Sequence, residues 1–184
     1  MSQVNDFIQK LDACPLGKAG WSLFEELCVE ILSFLFVPPL NAAQRQARTY
    51  SGVNRRDAIL PNRNIIPNQN INSKNWYHLF VELDARMILF EFKNYEITEI
   101  GHEEVIQTRN YLTNPMGRLG IIVCSKPPVE SAYRQRNTIY SNDKKVILFL
   151  TKDHLKEMLV MKERGEEASD LIIDLVEQFY IQHE

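Results

Sequence analysis

Cysteine, glycine and long apolar runs are all scarce in this 184-residue chain, and each scarcity excludes a class of protein. The three cysteines are far apart and form no Cys-x-x-Cys pair, which argues against a disulfide framework or a zinc ribbon and favours a reducing cytoplasm. The seven glycines form no phosphate-binding loop motif. The longest apolar run, over residues 31–40, contains a serine and two prolines and is too short to cross a bilayer. With no signal-peptide layout over residues 1–10, no membrane association is expected.

What is present is ordinary globular composition, with 45% apolar and 24% charged residues. The length suits one domain, predicted over residues 1–184 with a core at about 21–150 and C-terminal helices at 152–182. Alternating helical and strand patterns predict the α/β class, with a central mixed β-sheet flanked by α-helices. Helices are predicted over 21–36, 75–84, 100–113, 128–141, 153–164 and 168–182, and strands over 45–50, 55–60, 87–94, 119–124 and 146–150.

Charge is distributed unevenly along the chain. Between residues 41 and 74, arginine and lysine outnumber acids six to one, whereas residues 152–184 carry nine acids and four bases. The net charge of −3 means that nucleic-acid binding needs a local basic patch, and the first segment can supply one. A cluster of merely solvated arginines explains the pattern equally well. The candidate nucleic-acid-binding residues are Arg45, Arg48, Arg55, Arg56 and Arg63.

The strand predicted at 87–94 places charge next to apolar residues. Its alternation puts Glu91 and Lys93 on one face, after a stretch that is apolar on both faces. Buried charges are costly unless they are paired or bind a metal, so this strand is a candidate catalytic element. A plain glutamate–lysine pair at a strand end is the competing interpretation.

Other carboxylates can join Glu91. Asp57 opens the short strand at 55–60, and a neighbouring strand that carries Glu91 would complete an oxygen site for a hard cation such as magnesium. Lys93 could then orient a bound water or stabilise charge on a phosphate. In the helix at 21–36, Glu25 lies on the apolar stripe and Glu26 on the polar one, so Glu25 is the preferred site residue.

The helix at 100–113 adds an amide to this set. Gln107 and Tyr111 lie four residues apart on one helical face, together with Glu104. A glutamine side chain both donates and accepts hydrogen bonds, so Gln107 can bridge Lys93 and a phosphate oxygen or a water. An ordinary surface glutamine is the alternative.

In this order, Asp57, Glu91-Phe92-Lys93 and Gln107 with Tyr111 resemble the PD-(D/E)XK nuclease superfamily, and within it the Mrr-like restriction endonucleases of bacterial defence systems. The resemblance runs from about residue 21 to 150 in element order. It implies a mixed sheet flanked by helices and magnesium-dependent hydrolysis of phosphodiester bonds, with manganese as a substitute ion.

Residue by residue, the resemblance implies that Asp57 and Glu91 are metal ligands and Lys93 the catalytic lysine. Gln107 would be the supporting glutamine, and Glu25 the acidic residue of the first helix. Arg56 replaces the proline of the family motif, and 33 residues separate Asp57 from Glu91, more than in compact members.

The expected function is therefore a magnesium-dependent endonuclease acting on DNA in restriction or phage defence. Two alternatives remain: a catalytically inactive nuclease-fold module for DNA binding or protein interaction, and an unrelated α/β scaffold with a structural Glu91–Lys93 pair. The apolar stripes at 168–182 and the two-fold symmetry of duplex DNA predict a homodimer. No recognition domain is evident, so a partner subunit could supply target specificity.

Overall fold

The computed structural model describes residues 2–48, 55–64 and 74–183. These residues form an α/β fold in which a mixed five-stranded sheet is flanked by helices, as predicted. The strands are β1 (Gln44–Arg48), β2 (Arg55–Pro61), β3 (Met87–Lys93), β4 (Leu119–Cys124) and β5 (Val146–Thr151). The helices are α1 (Gln3–Ala13), α2 (Trp21–Phe36), α3 (Lys74–Leu83), α4 (His102–Tyr111), α5 (Glu130–Asp143), α6 (Lys152–Glu163) and α7 (Asp170–Gln182).

The strands lie in the order β1-β2-β3-β4-β5. β1 and β2 are antiparallel, as are β2 and β3, whereas β3, β4 and β5 run parallel. β4 is buried on both faces, which explains its continuous apolar sequence. The predicted turn at Ser51-Gly52 and most of the predicted loop at 61–75 lie outside the described residues.

Two apolar cores pack against the two faces of the sheet. On the first face, Ile88, Phe90 and Phe92 of β3 join residues of α1, α2, α3, α6 and α7. On the second face, Leu89 joins residues of α4 and α5. The predicted alternation of β3 is therefore confirmed, and the acidic helices α6 and α7 cover the face opposite the one that Glu91 and Lys93 share.

Helix α2 has the bounds that its sequence predicts. It begins after Gly20, where a Cβ atom would lie only 1.8 Å from the carbonyl oxygen of Pro15, so a glycine lets the chain enter the helix in close contact with the preceding segment. Glu25 is buried and Glu26 is exposed, as expected from the apolar stripe.

The core extends beyond the predicted 21–150. Helix α1, which the sequence analysis did not predict, buries Val4, Phe7 and Leu11 in the first core, and α6 and α7 contribute to the same core. In α7, the apolar residues used to predict a homodimer are mostly buried or partly buried against this core, and Ile181 is the exposed one, at 83%. Homodimer formation stays a prediction. None of the described helices is long and apolar enough to cross a bilayer.

Candidate active site

The candidate site lies where β2 begins and β3 ends, on the face covered by α4. Ala58 pairs with Phe90 in the antiparallel ladder, so the next positions outward are Asp57 and Glu91. Antiparallel partners in a sheet point to the same face. The sheet thus brings together the two carboxylates that the sequence analysis proposed as metal ligands, although 33 residues separate them along the chain.

Each carboxylate is bound to the backbone of the other strand. The Phe92 N–H donates to Asp57 Oδ2 at 2.9 Å, and the Asp57 N–H donates to Glu91 Oε1 at 3.4 Å. Glu91 is 1% exposed, while Asp57 is only partly buried. The pair therefore has one carboxylate held under the surface and one near solvent, from which a cation or a substrate can approach.

Burial raises the pKa of Glu91 to about 8, and the neighbouring Asp57 carboxylate acts in the same direction. Lys93, the Asp57 N–H and Arg56 oppose this shift without cancelling it. A proton thus occupies Glu91 in neutral solution when no cation balances the two carboxylates. A divalent cation would relieve the same repulsion, so the donor set fits a hard metal ion such as magnesium.

The lysine of β3 is held by α4. Lys93 Nζ donates to Gln107 Oε1 at 3.0 Å and lies 3.8 Å from Glu91 Oε2, while its side chain is only 11% exposed. Gln107 Nε2 in turn donates to the Tyr111 hydroxyl at 2.8 Å. The chain from lysine to glutamine to tyrosine fixes the ammonium group beside the carboxylates, as the spacing of Gln107 and Tyr111 predicts.

Glu25 has a different neighbourhood. Its Oε1 accepts a hydrogen bond from Gln46 Nε2 at 3.3 Å, and its helix α2 packs on the first face of the sheet. Within the described ranges no third histidine, cysteine or carboxylate joins Asp57 and Glu91 in a metal-holding group. Glu25 lies beside β1, where it lines a cavity of about 250 Å³ together with Arg45 and Gln46.

Four of the five candidate DNA-binding arginines lie on β1 and β2. Arg48 pairs with Arg55 in the ladder, and Arg45 pairs with Ala58 next to Asp57. One donor group of Arg56 is already in use within the protein, because its Nη2 donates to the Tyr111 carbonyl at 3.0 Å. Arg63 is exposed but lies beyond the opposite end of β2.

Tyr95, which follows β3 closely, is not among the predicted site residues. The Tyr95 hydroxyl donates to Glu104 Oε1 at 3.1 Å, and Glu104 Oε2 accepts from the Gly101 N–H at the start of α4. Burial and Glu104 raise the pKa of Tyr95 to about 12. This contact ties α4 to the end of β3 and so helps to position Gln107. The signals in the sequence are the position of Tyr95 two residues after Lys93 and the glutamate in the first turn of α4.

The fold and the site together define an α/β protein with a mixed sheet, as in restriction-endonuclease-like folds, and a carboxylate pair at the end of its central strands. Over 113 residues the chain is 32% identical to a protein named for transposon gamma-delta, of 80.3 kDa, from Escherichia coli strain K12. The match covers 61% of this chain, which spans only 15% of that relative's length. No protein-family profile and no solved structure matches the chain.

Proposed function

We propose that this protein is a metal-dependent endonuclease that hydrolyses DNA phosphodiester bonds, in restriction or phage defence. The observation that supports the proposal best is the convergence of Asp57, Glu91 and Lys93 on one face, with Gln107 holding the lysine. Two carboxylates and an ammonium group are the side chains that hydrolysis of a phosphodiester beside a divalent cation requires. The name of the transposon relative states no activity, so the proposal rests on the site geometry and on the resemblance in its motifs.

Asp57 and Glu91 would hold magnesium, for which manganese can substitute. Magnesium keeps several waters and takes one or two carboxylates plus substrate oxygens, so two protein ligands are sufficient. When bound, the ion would supply Lewis-acid polarisation of the phosphate and a more acidic water. Glu91 must release its proton to become a ligand, and the raised pKa of its carboxyl group makes metal binding depend on pH.

Lys93 acts on the reacting groups rather than on the fold. The hydrogen bond to Gln107 uses one of its three donors, so the ammonium group keeps others for a phosphate oxygen or an attacking water. Its largely buried position strengthens that electrostatic interaction, since water screens it poorly. Gln107 is a positioning residue, because it acts through the lysine.

DNA would approach along β1 and β2, where the exposed Arg45 and Arg48 can neutralise phosphates. The acidic α6 and α7 pack on the other face of the sheet, so they do not repel a polyanion bound at the site. We further propose a cytoplasmic location, which the three buried free thiols support. A homodimer or a partner subunit would supply the second cut and the target specificity.

Cleavage of supercoiled plasmid with magnesium, and with a chelator in its place, tests the proposal directly. Wild-type protein should cut only with the metal, and Lys93→Ala should lower the rate roughly 100- to 10,000-fold without unfolding. Lys156→Ala, on α6 across the sheet, is the matched control and should cut at the wild-type rate. Cleavage that survives Lys93→Ala would refute the assignment of the lysine.

An inactive module is the second candidate function, and one observation favours it. The reciprocal hydrogen bonds satisfy both carboxylates partly through backbone N–H groups, so the pair could serve simply to close the ends of β2 and β3. Calorimetry with magnesium distinguishes the two candidates. Binding that is lost in Asp57→Asn favours the enzyme, and no heat of binding favours the module.

A further inference from the structure

An arginine at the far edge of the sheet is enclosed by aromatic rings. The guanidinium carbon of Arg136, on α5, lies 4.9 Å from the ring centre of Tyr133, 5.5 Å from that of Phe149 and 5.0 Å from that of Phe179. These three rings come from α5, β5 and α7, so the cage exists only in the folded chain. Cation–π contacts of this kind hold a cation in place but do not neutralise it.

The charge of Arg136 has no acidic partner among the residues that the structure describes. Its Nε is shielded from solvent and makes no hydrogen bond, and no ion pair involves its side chain. On neighbouring surfaces, Arg134 pairs with Glu130 and Arg109 with Asp143. Desolvation lowers the pKa of Arg136. Aromatic faces are at best weak acceptors of N–H groups, so the hydrogen-bonding capacity of this guanidinium is largely unused.

A cavity of about 230 Å³ lies against this cage, between α5, β5, α6 and α7. No carboxylate lines it, and its polar lining residues are Thr151, His154, Gln178 and Gln182. These side chains offer polar groups around a single arginine. The volume is below that of typical drug-sized sites, so the cavity suits a ligand of few heavy atoms.

We propose that this cavity binds a small oxyanion, a carboxylate or a phosphate group, with Arg136 as its charged anchor. The planar fork of a guanidinium matches both groups, and its bonds to them are charge-assisted. The aromatic cage fixes the side chain in advance, which lowers the entropy lost on binding. The proposal does not depend on nuclease activity, because the cavity lies on β5, the edge of the sheet opposite β1.

The test is a titration of the full chain, uniformly labelled with ¹⁵N, with inorganic phosphate and separately with acetate at constant ionic strength. The ¹⁵N–¹H signal of the Arg136 Nε group, assigned by its loss in Arg136→Gln, is the local readout. Chloride is the control anion. We expect saturable shifts of this signal with phosphate, acetate or both. The anion that binds with the higher affinity identifies the preferred oxyanion, a phosphate group or a carboxylate.

Calorimetry on variants supplies the second readout. Arg136→Gln and Arg136→Lys should each weaken anion binding roughly tenfold or more. The glutamine variant loses the positive charge, and the lysine variant loses the planar fork of N–H donors. Arg134→Gln, on the exposed side of the same helix, should leave it unchanged. If the Nε signal responds to none of the anions beyond chloride, or if both Arg136 variants bind as the wild type does, the proposal is wrong. Arg136 would then serve only to cover the edge of β5.

Discussion

Replacing Glu91 with glutamine should remove a large pH dependence from the stability of this protein. The carboxyl group has a pKa of about 8 in the folded chain, against an ordinary value of 4.5. Between these values the folded state holds a proton that the unfolded state has released, so stability falls as pH rises. At 1.36 kcal/mol per pH unit, the free energy of unfolding falls by about 3 kcal/mol between pH 4.5 and pH 7. Glutamine carries no such proton, so Glu91→Gln should melt at a higher temperature in metal-free buffer.

The assay is urea denaturation of both proteins at pH 5, 6, 7 and 8 with a chelator present. Other titrating groups contribute to both proteins, so the difference between the two free energies of unfolding isolates Glu91. This difference should grow in favour of the variant as pH rises. Glu157→Gln, an exposed position on α6, is the matched control and should follow the wild type.

Magnesium should reverse the effect in the wild type only. The cation competes with the proton on Glu91, so its affinity should increase by roughly tenfold per pH unit between pH 6 and 8. The stabilisation by metal should therefore be largest where the metal-free protein is weakest. Wild type and Glu91→Gln could instead show the same pH dependence of the free energy of unfolding without metal. The raised pKa of Glu91, and with it the burial and the repulsion by Asp57 that explain it, would then be refuted, whatever the protein's activity.

Asp57→Asn should weaken magnesium binding, because the cation loses a charged ligand, and unchanged affinity by calorimetry would exclude a site shared with Glu91. Arg45→Ala combined with Arg48→Ala should reduce DNA affinity and flatten its dependence on salt, by about one unit of log–log slope for each phosphate that an arginine no longer neutralises. Arg164→Ala, at the end of α6 on the other face of the sheet, serves as the control, and an equal reduction there would indicate a different DNA path. The predicted homodimer gives twice the 21.5 kDa chain mass in light scattering, whereas a monomer that only nicks plasmid would contradict it.

Helices and strands can be predicted from the sequence wherever their apolar residues follow a single clear pattern. The apolar stripe of α2 and the unbroken apolar runs of β4 and β5 identify these elements because their burial is set by their own residues. Helix α1 was not predicted, although Ser2 caps it and its apolar residues have helical spacing. Only docking on the first core makes so short a helix stable.

Within the candidate site, the sequence by itself identified Glu91 and Lys93, since their shared face follows from the period of two in a strand. That Asp57 lies opposite Glu91 was decided by the tertiary structure, because strand pairing across 33 intervening residues depends on the ladder and not on local pattern. The same holds for Glu25. Its burial was predictable from the helix period, but only the packing of α2 and β1 determined that its partner is Gln46. A cage of three rings around Arg136 likewise has no sequence signal, because its members come from three elements that meet only when the chain folds.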